Sequence, residues 1–205
     1  LARLLTFCGW AVEKEYYIND AGNQIMTLGR SVFLRWRELS GETVDFPEDC
    51  YQGDYIRHIA RKLNDARGDH LAARNEGDET AAIAFCAEQA VSEILGGIED
   101  DLEQFGISID NWFSEKSLVS ANAVTEALAL VKERKLAYES EGALWFQSTS
   151  FGDEKDRVVV RNNGETTYFA SDIAYHKNKF ERGFERVVDI WGADHHGYVP
   201  RMKAA

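Results

Sequence analysis

Apolar residues recur at helical spacing in two long stretches of the first half of the chain. The first stretch predicts a helix that ends at Gly41, with an apolar face of Ile25, Leu28, Val32, Leu34, Trp36 and Leu39. The second predicts a longer helix over residues 79–105, with Ile83, Cys86, Ala90, Val91, Ile94, Leu95 and Ile98 facing inward. The residues between them carry only a short amphipathic pattern, over 55–63. We therefore predict a largely helical region over residues 42–105.

Strand patterns lie on both sides of this helical region. β-branched and aromatic residues predict strands at 12–18, 107–109, 144–146, 158–160 and 167–169, and a buried strand at 187–191. Asn163 and Gly164 predict a tight turn between two of these strands. Helical patterns at 121–134 and 171–182 alternate with the strands. The order predicts an α/β fold in which a parallel sheet is interrupted by a helical insertion. The predicted boundaries are a first part of the sheet domain at 1–41, the insertion at 42–105 and a second part at 106–205.

Charge and composition narrow the classes of protein to consider. The net charge of −12 argues against a protein that coats nucleic acid or binds a membrane surface, because both tasks need clustered Lys and Arg. No uninterrupted apolar run approaches the ~20 residues that a membrane span needs, so we expect no membrane partner. Cys8, Cys50 and Cys86 match no metal-binding or disulfide pattern, which indicates isolated thiols in a reducing compartment.

Polar side chains cluster where the predicted strands end. The densest cluster places Asp194, His195 and His196 between two glycines. Tyr168 and Asp172 are four residues apart, which places them on one side of a helix start. The remaining candidates follow the two earlier strands, and they are Glu115, Asn19, Asp20 and Gln24. In open α/β sheets ligands bind at the carboxyl ends of strands, so these side chains are the candidates for function.

Several kinds of chemistry fit these residues. Each acidic residue could also serve only as a helix cap or a first-turn carboxylate. A pair of carboxylates suits a guanidinium ligand, which offers a planar fork of N–H donors, but it also suits a metal ion or acid–base catalysis. Asp194, His195 and His196 are possible metal ligands by residue type, although adjacent histidines rarely bind one ion together.

Six segments of the chain resemble those of bacterial-type arginyl-tRNA synthetases, in the same order. They are YYINDAGNQI (16–25), YQGDYI (51–56), DNWFSE (110–115), FGDEKDRVVVR (151–161), TYFASDIAYH (167–176) and WGADHHGYVPRMKAA (191–205). The resemblance implies a class I synthetase with a Rossmann-type catalytic domain. Such an enzyme makes arginyl-adenylate from arginine and ATP with Mg²⁺, and then transfers the arginine to tRNA(Arg). It has no tightly bound cofactor, generally needs bound tRNA for the first step, and is expected to be cytoplasmic.

The resemblance also implies roles for individual residues. Asp172 and Tyr168 would hold the substrate guanidinium with help from Glu115, and His195 would lie near the amino or carboxyl end of the substrate. Asn19, Asp20 and Gln24 belong to a family motif, and Asp194 is a further candidate for the pocket.

The chain departs from the family pattern in what it lacks. The HIGH-type motif is expected upstream of Leu1 and the KMSKS-type motif beyond Ala205, so no catalytic residue is assigned within the chain. We expect the chain alone to be inactive and prone to self-association. Two other interpretations stay open: a binding module that keeps an arginine pocket without catalysis, and a metal-dependent hydrolase that uses Asp194, His195 and His196.

Overall fold

The computed structural model describes the backbone of all 205 residues and the side chains of residues 1–73 and 77–205. The helices are α1 (Ala2–Phe7), α2 (Asn23–Leu39), α3 (Asp54–Gly77), α4 (Glu79–Gln104), α5 (Glu115–Ser120), α6 (Ala123–Glu133), α7 (Tyr168–Glu181) and α8 (Val199–Ala204). The strands are β1 (Glu15–Ile18), β2 (Asn111–Ser114), β3 (Ala137–Ser140), β4 (Ala143–Phe146) and β5 (Arg157–Val160). Two 3-10 helices cover Ser148–Phe151 and Ala193–Tyr198.

The chain separates into two units, residues 1–113 and 114–205, and each is described by itself. The predicted division at 1–41, 42–105 and 106–205 assigns segments to a sheet domain and an insertion, and it stays a prediction.

In the first unit, α2, α3 and α4 pack around one apolar core. The core combines Leu28, Val32, Phe33 and Trp36 of α2 with Ile56, Ile59, Ala60, Leu63 and Leu71 of α3 and Ala82, Cys86 and Ala90 of α4. These positions recur at intervals of three to four residues, which confirms the helical periodicity of α2 and α4. The Asp78 side chain caps α4 by accepting a hydrogen bond from the Thr80 N–H at 2.8 Å.

α4 is long and apolar enough to cross a membrane by length and composition. The core helix of a soluble protein passes the same test, and the small residues of α4 are buried against α2 and α3. Length and composition alone are therefore weak evidence for a membrane span.

β1 and β2 form a small parallel sheet in the first unit. Glu15 accepts a hydrogen bond from the Asn111 side chain, the ring of Tyr16 lies 5.0 Å from that of Trp112, and Tyr17 stacks on Phe113. The facing residues keep a constant separation along the chain, as parallel strands require. The α/β fold class is confirmed.

The second unit contains an antiparallel meander of β3, β4 and β5. Glu141 and Gly142 join β3 to β4 with positive φ angles of 53° and 75°. The Asp153 carboxylate accepts two hydrogen bonds from the Arg157 guanidinium, at 2.6 and 2.7 Å, and fixes the loop that leads into β5. These bonds hold the pKa of Asp153 low, at about 2.

Three of the predicted strands differ from the structure. Residues 187–191 are not a buried strand: they adopt no regular secondary structure, and Ile190 is 77% exposed. Residues 107–109 lie outside β2, which begins at Asn111. The run at 167–169 is split, because Thr167 bonds to β5 while Tyr168 begins α7. Apolar, β-branched composition makes a strand favourable, but the neighbouring backbone decides whether it forms.

The predicted turn at Asn163 and Gly164 is confirmed. Gly164 has a φ of 85°, and its N–H donates to the Arg161 carbonyl at 2.9 Å. Beyond the turn, no second regular strand forms among the described residues, although Val160 and Thr166 form a bridge and backbone hydrogen bonds join Arg161 to Glu165 and Thr167 to Val159.

Candidate functional site

The start of α7 presents Tyr168 and Asp172 on consecutive turns. Thr167 positions this start, because its N–H donates to Val159 and its hydroxyl to Val158, both on β5. Tyr168 is the first residue of α7, and its side chain is exposed. Asp172 lies one turn later, where α7 packs against its neighbours. The predicted placement of these two residues at one helix start is confirmed.

The Asp172 carboxylate lies in a desolvated position. Burial is the main reason that its pKa rises to about 6, and the charge of Asp189 adds to the rise. The positive charges of His176, Arg201 and Lys179 act in the opposite direction. Within residues 1–73 and 77–205, no side chain or N–H donates a hydrogen bond to this carboxylate. A half-buried carboxylate with a perturbed pKa and no donor is a candidate for binding an external cation.

His176, Lys179 and Asp189 form a clamp beside Asp172. Asp189 accepts a hydrogen bond from His176 at one oxygen (2.9 Å) and from Lys179 at the other (2.8 Å). The second ring nitrogen of His176 lies 2.8 Å from the main-chain oxygen of Asp172. The bond from His176 is the largest cause of the low pKa of Asp189, about 2. The clamp ties α7 to the segment that precedes Gly192.

A shallow depression of about 190 Å³ opens beside Tyr168. Its polar lining includes Tyr168, Tyr198, Arg161 and Arg201. The Arg201 guanidinium lies 4.2 Å from the centre of the Tyr198 ring, in cation–π geometry. The depression therefore combines aromatic faces with positive charge.

Glu115 is the first residue of α5 and is 7% exposed. It makes interactions within the protein, so its carboxylate is not free. α5 contacts α7, which places Glu115 in an element adjoining the helix of Asp172. A role for Glu115 in guanidinium binding stays a prediction.

The turn at 192–198 leaves its polar residues in solvent. The side chains of Asp194 and His195 are 79% and 58% exposed, and the Nδ1 of His195 lies 3.2 Å from Asp194. The His195 ring also packs against Trp191 at 6.5 Å. No hydrogen bond or ion pair in the described parts of the chain joins His195 to Asp172, and a shared role of these two residues in one pocket stays a prediction.

Asn19, Asp20 and Gln24 lie in the first unit, between the end of β1 and the first turn of α2. Asn19 and Gln24 are exposed and Asp20 is half-buried. Gly22, with a φ of 82°, makes the sharp entry into α2. Their contribution to a pocket stays a prediction.

Sequence reasoning missed the clamp and Arg201. His176 was part of the TYFASDIAYH segment, four residues after Asp172, and this helical spacing could have indicated it. Asp189 had no such signal, because its strand-like surroundings predicted a buried strand instead.

Metal binding finds no support in the arrangement of side chains. Across residues 1–73 and 77–205, no group of three or more His, Cys, Asp or Glu could hold a metal ion. Asp194, His195 and His196 do not form such a group despite being adjacent along the chain.

Comparison with known proteins points to a single family. Residues 1–203 match the family model described as tRNA synthetases class I (R), catalytic domain. The chain is 67% identical over 205 residues to the arginine–tRNA ligase of Desulfosudis oleivorans. It is 55% identical over 204 residues to that of Syntrophotalea carbinolica. Each match covers 100% of this chain and 36% of the relative, so the chain spans about a third of the length of these proteins.

Solved structures agree with the sequence matches. A Campylobacter jejuni protein described as an arginyl-tRNA synthetase matches with a TM-score of 0.87 and 43% identity, covering 98% of this chain and 43% of that chain. The Plasmodium falciparum arginyl-tRNA synthetase matches with a TM-score of 0.67 at 14% identity, covering 98% of this chain and 34% of that chain. The second match shows a likeness of fold alone.

Proposed function

Since the chain belongs to the arginyl-tRNA synthetase family of class I catalytic domains, we propose that it forms the arginine-recognition part of an arginine–tRNA ligase. The whole protein would activate arginine with ATP and transfer it to tRNA(Arg). This function accounts for the sequence relationship and for the position of Asp172 better than an arginine-binding module without catalysis or a metal-dependent hydrolase.

The observation that carries the proposal is the desolvated, donor-free carboxylate of Asp172. A guanidinium would supply two parallel N–H donors to the two carboxylate oxygens, and its charge would lower the pKa of Asp172. Tyr168, one turn earlier on α7, can add a hydroxyl or a ring face to the same ligand. The ammonium of lysine offers only a point charge, so the site favours arginine over lysine.

The remaining partners are proposed for the whole protein. ATP and Mg²⁺ would act as a substrate complex, but no metal-ligand group is present in the described residues and we assign no step to Mg²⁺ here. His195 and Asp194, being exposed, would remain available to the amino or carboxyl end of arginine. The free thiols of Cys8, Cys50 and Cys86 are compatible with the reducing cytoplasm, where we expect the protein to act.

Arginine binding tests the proposal directly. We expect calorimetric titration at about pH 7.5 to show that arginine binds the chain more tightly than lysine, and that Asp172→Asn weakens arginine binding at least ~100-fold, because a buried charge partner is lost. Asp172→Asn keeps the side-chain shape and removes only the charge.

Glu181→Gln is the matched control, because it removes an exposed carboxylate from the same helix. It should leave arginine binding within about twofold of wild type. Arginine affinity that is equal in Asp172→Asn and wild type would show that the guanidinium site lies elsewhere.

A further inference from the structure

Both ring nitrogens of His176 face hydrogen-bond acceptors. Nδ1 lies 2.8 Å from the Asp172 main-chain oxygen, and Nε2 lies 2.9 Å from Oδ2 of Asp189. A carbonyl oxygen carries no proton, and the low pKa of Asp189 keeps its carboxylate ionised. A neutral imidazole has only one N–H, so either tautomer would direct a nitrogen lone pair at an oxygen. Both contacts can be hydrogen bonds at the same time only when both ring nitrogens carry a proton.

The surroundings hold this ring in place. The His176 side chain is 16% exposed, and its ring packs edge-on against Tyr175 at 5.6 Å. Lys179 binds the other oxygen of Asp189 and lies 4.1 Å from the centre of the Tyr175 ring. Asp189 is consequently fixed by two cations of α7.

We propose that His176 is a positioning residue of the guanidinium site, held as an imidazolium between the Asp172 backbone and Asp189. It anchors the first turns of α7 to the segment that leads to Gly192, and it places a fixed positive charge near the Asp172 carboxylate. That charge lowers the pKa of Asp172 below the value that burial alone would give, so the carboxylate stays ionised at a lower pH. The role rests on the proposed arginine site.

Other charged groups of the described residues also act on Asp172 or lie on elements that contact α7. Lys179 and Asp189 belong to the clamp, and Arg201 approaches from the last helix. Among the other elements in contact with α7, α5 carries the buried Glu115, and β5 carries Arg157, which is bound to Asp153. α6 contacts α7 too; its charged residues Glu126, Lys132 and Glu133 are exposed, whereas Val124, Ala127, Leu128 and Val131 are buried.

The first test reads the protonation of His176 in the wild-type chain. We expect ¹⁵N NMR at about pH 7.5 to show both nitrogens of His176 protonated. In Asp189→Asn, His176 should lose one of its protons, because the replacement amide can donate to Nε2. A neutral His176 in the wild-type chain would overturn the proposal.

The second test separates charge from structure. His176→Gln should move the pH midpoint of the Asp172 carboxyl ¹³C signal upward by about 1 unit, because a nearby positive charge is lost. Arginine affinity should then fall by ~3-fold more at about pH 6.5 than at about pH 8, following the ionised fraction of Asp172. Lys177→Met removes a half-buried cation that pairs with the exposed Glu181 on the same helix, and it should leave both measurements unchanged.

The outcomes distinguish this inference from the proposed function. If the wild-type chain binds arginine but His176→Gln weakens binding equally at both pH values, His176 is merely structural and the inference fails alone. If the wild-type chain binds no arginine, the proposed function fails, and the positioning role fails with it.

Discussion

Asp172 destabilises the free protein at neutral pH, because its ionised carboxylate is half-buried without a hydrogen-bond donor. Its pKa rises to about 6 from the ordinary value of 3.8. Between these two values the folded state binds more protons than the unfolded state, so the free energy of unfolding falls as pH rises through this window. The full cost is present above the folded pKa, and it vanishes below the unfolded one.

At the residue scale we therefore expect Asp172→Asn to stabilise the protein. The gain should be about 1 to 3 kcal/mol at about pH 8 and should shrink to near zero at about pH 3. Urea denaturation of both proteins across this range measures it, with Glu181→Gln as the control that changes little. A variant less stable than wild type at about pH 8 would mean that Asp172 is already stabilised in the free protein.

Residue-scale prediction from sequence succeeded where the spacing of a single helix was sufficient. Tyr168 and Asp172 are one turn apart on α7, and their pairing at the helix start was readable from the sequence. The bond between His176 and Asp189 spans residues 13 apart, across the end of a helix and an irregular segment. Helical periodicity gives no information about such a contact, because it depends on the path of the irregular segment.

At the element scale, the close approach of α2 and α4 depends on Gly29. A Cβ at this position would meet the Ile83 carbonyl oxygen, and it would lie 2.7 Å from Cβ and 2.9 Å from N of Ala87. Two of these atoms belong to the α4 backbone, so relief would require the helices to separate. Small residues at 29 and 87 thus set the distance between the two helices.

We expect Gly29→Ala to destabilise the protein by about 1 to 3 kcal/mol, although Ala favours a helix over Gly by ~1 kcal/mol. Gly96→Ala on α4 is the matched control, because a Cβ there meets nothing within 4 Å. The control should be stabilised by about 0.5 to 1 kcal/mol. Thermal unfolding followed by circular dichroism compares the two; equal effects would contradict the close packing.

Prediction of elements was most successful for long amphipathic helices and least successful for strands. The stripes of α2 and α4 fixed their positions to within about two residues, because burying one face of a helix requires a strict period. The short strand β3 was missed, since its Glu141–Gly142 turn lacks the Asn-Gly signal. The segment 187–191 was wrongly predicted as buried, because its composition suits a strand that has no neighbour here.

At the scale of the whole molecule, the segment 187–191 exposes several large apolar side chains to solvent. Val188, Ile190 and Trp191 are 51%, 77% and 40% exposed. Neighbouring exposed apolar side chains favour association with another chain. The net charge of −12 opposes such association, and salt weakens this opposition.

We expect Ile190→Lys to reduce self-association of the chain at about 0.5 M salt, where charge repulsion is screened. Val119→Lys is the control, because Val119 is 63% exposed on α5 and the change in charge is the same. Sedimentation velocity over a range of concentrations measures both. Equal behaviour of the two variants would show that charge, not the 187–191 segment, controls association.

The sequence was most informative about the whole molecule through its resemblance to a family. Six separated segments identified the fold class and the family together. Composition and periodicity alone predicted only an α/β fold with a sheet interrupted by a helical insertion. The placement of Asp172 and Tyr168 at one helix start was predictable, but the solvation of Asp172 depends on packing that no motif encodes.

Under the proposed function, the unpaired carboxylate of Asp172 would also make the lifetime of the protein depend on arginine. A ligand that binds only the folded state stabilises it in proportion to the logarithm of ligand concentration, and a guanidinium would relieve the cost of the buried charge as well. Proteases cleave mainly the transiently opened chain, so arginine would slow degradation while lysine would do so much less. In a starved cell, the empty form would be removed first.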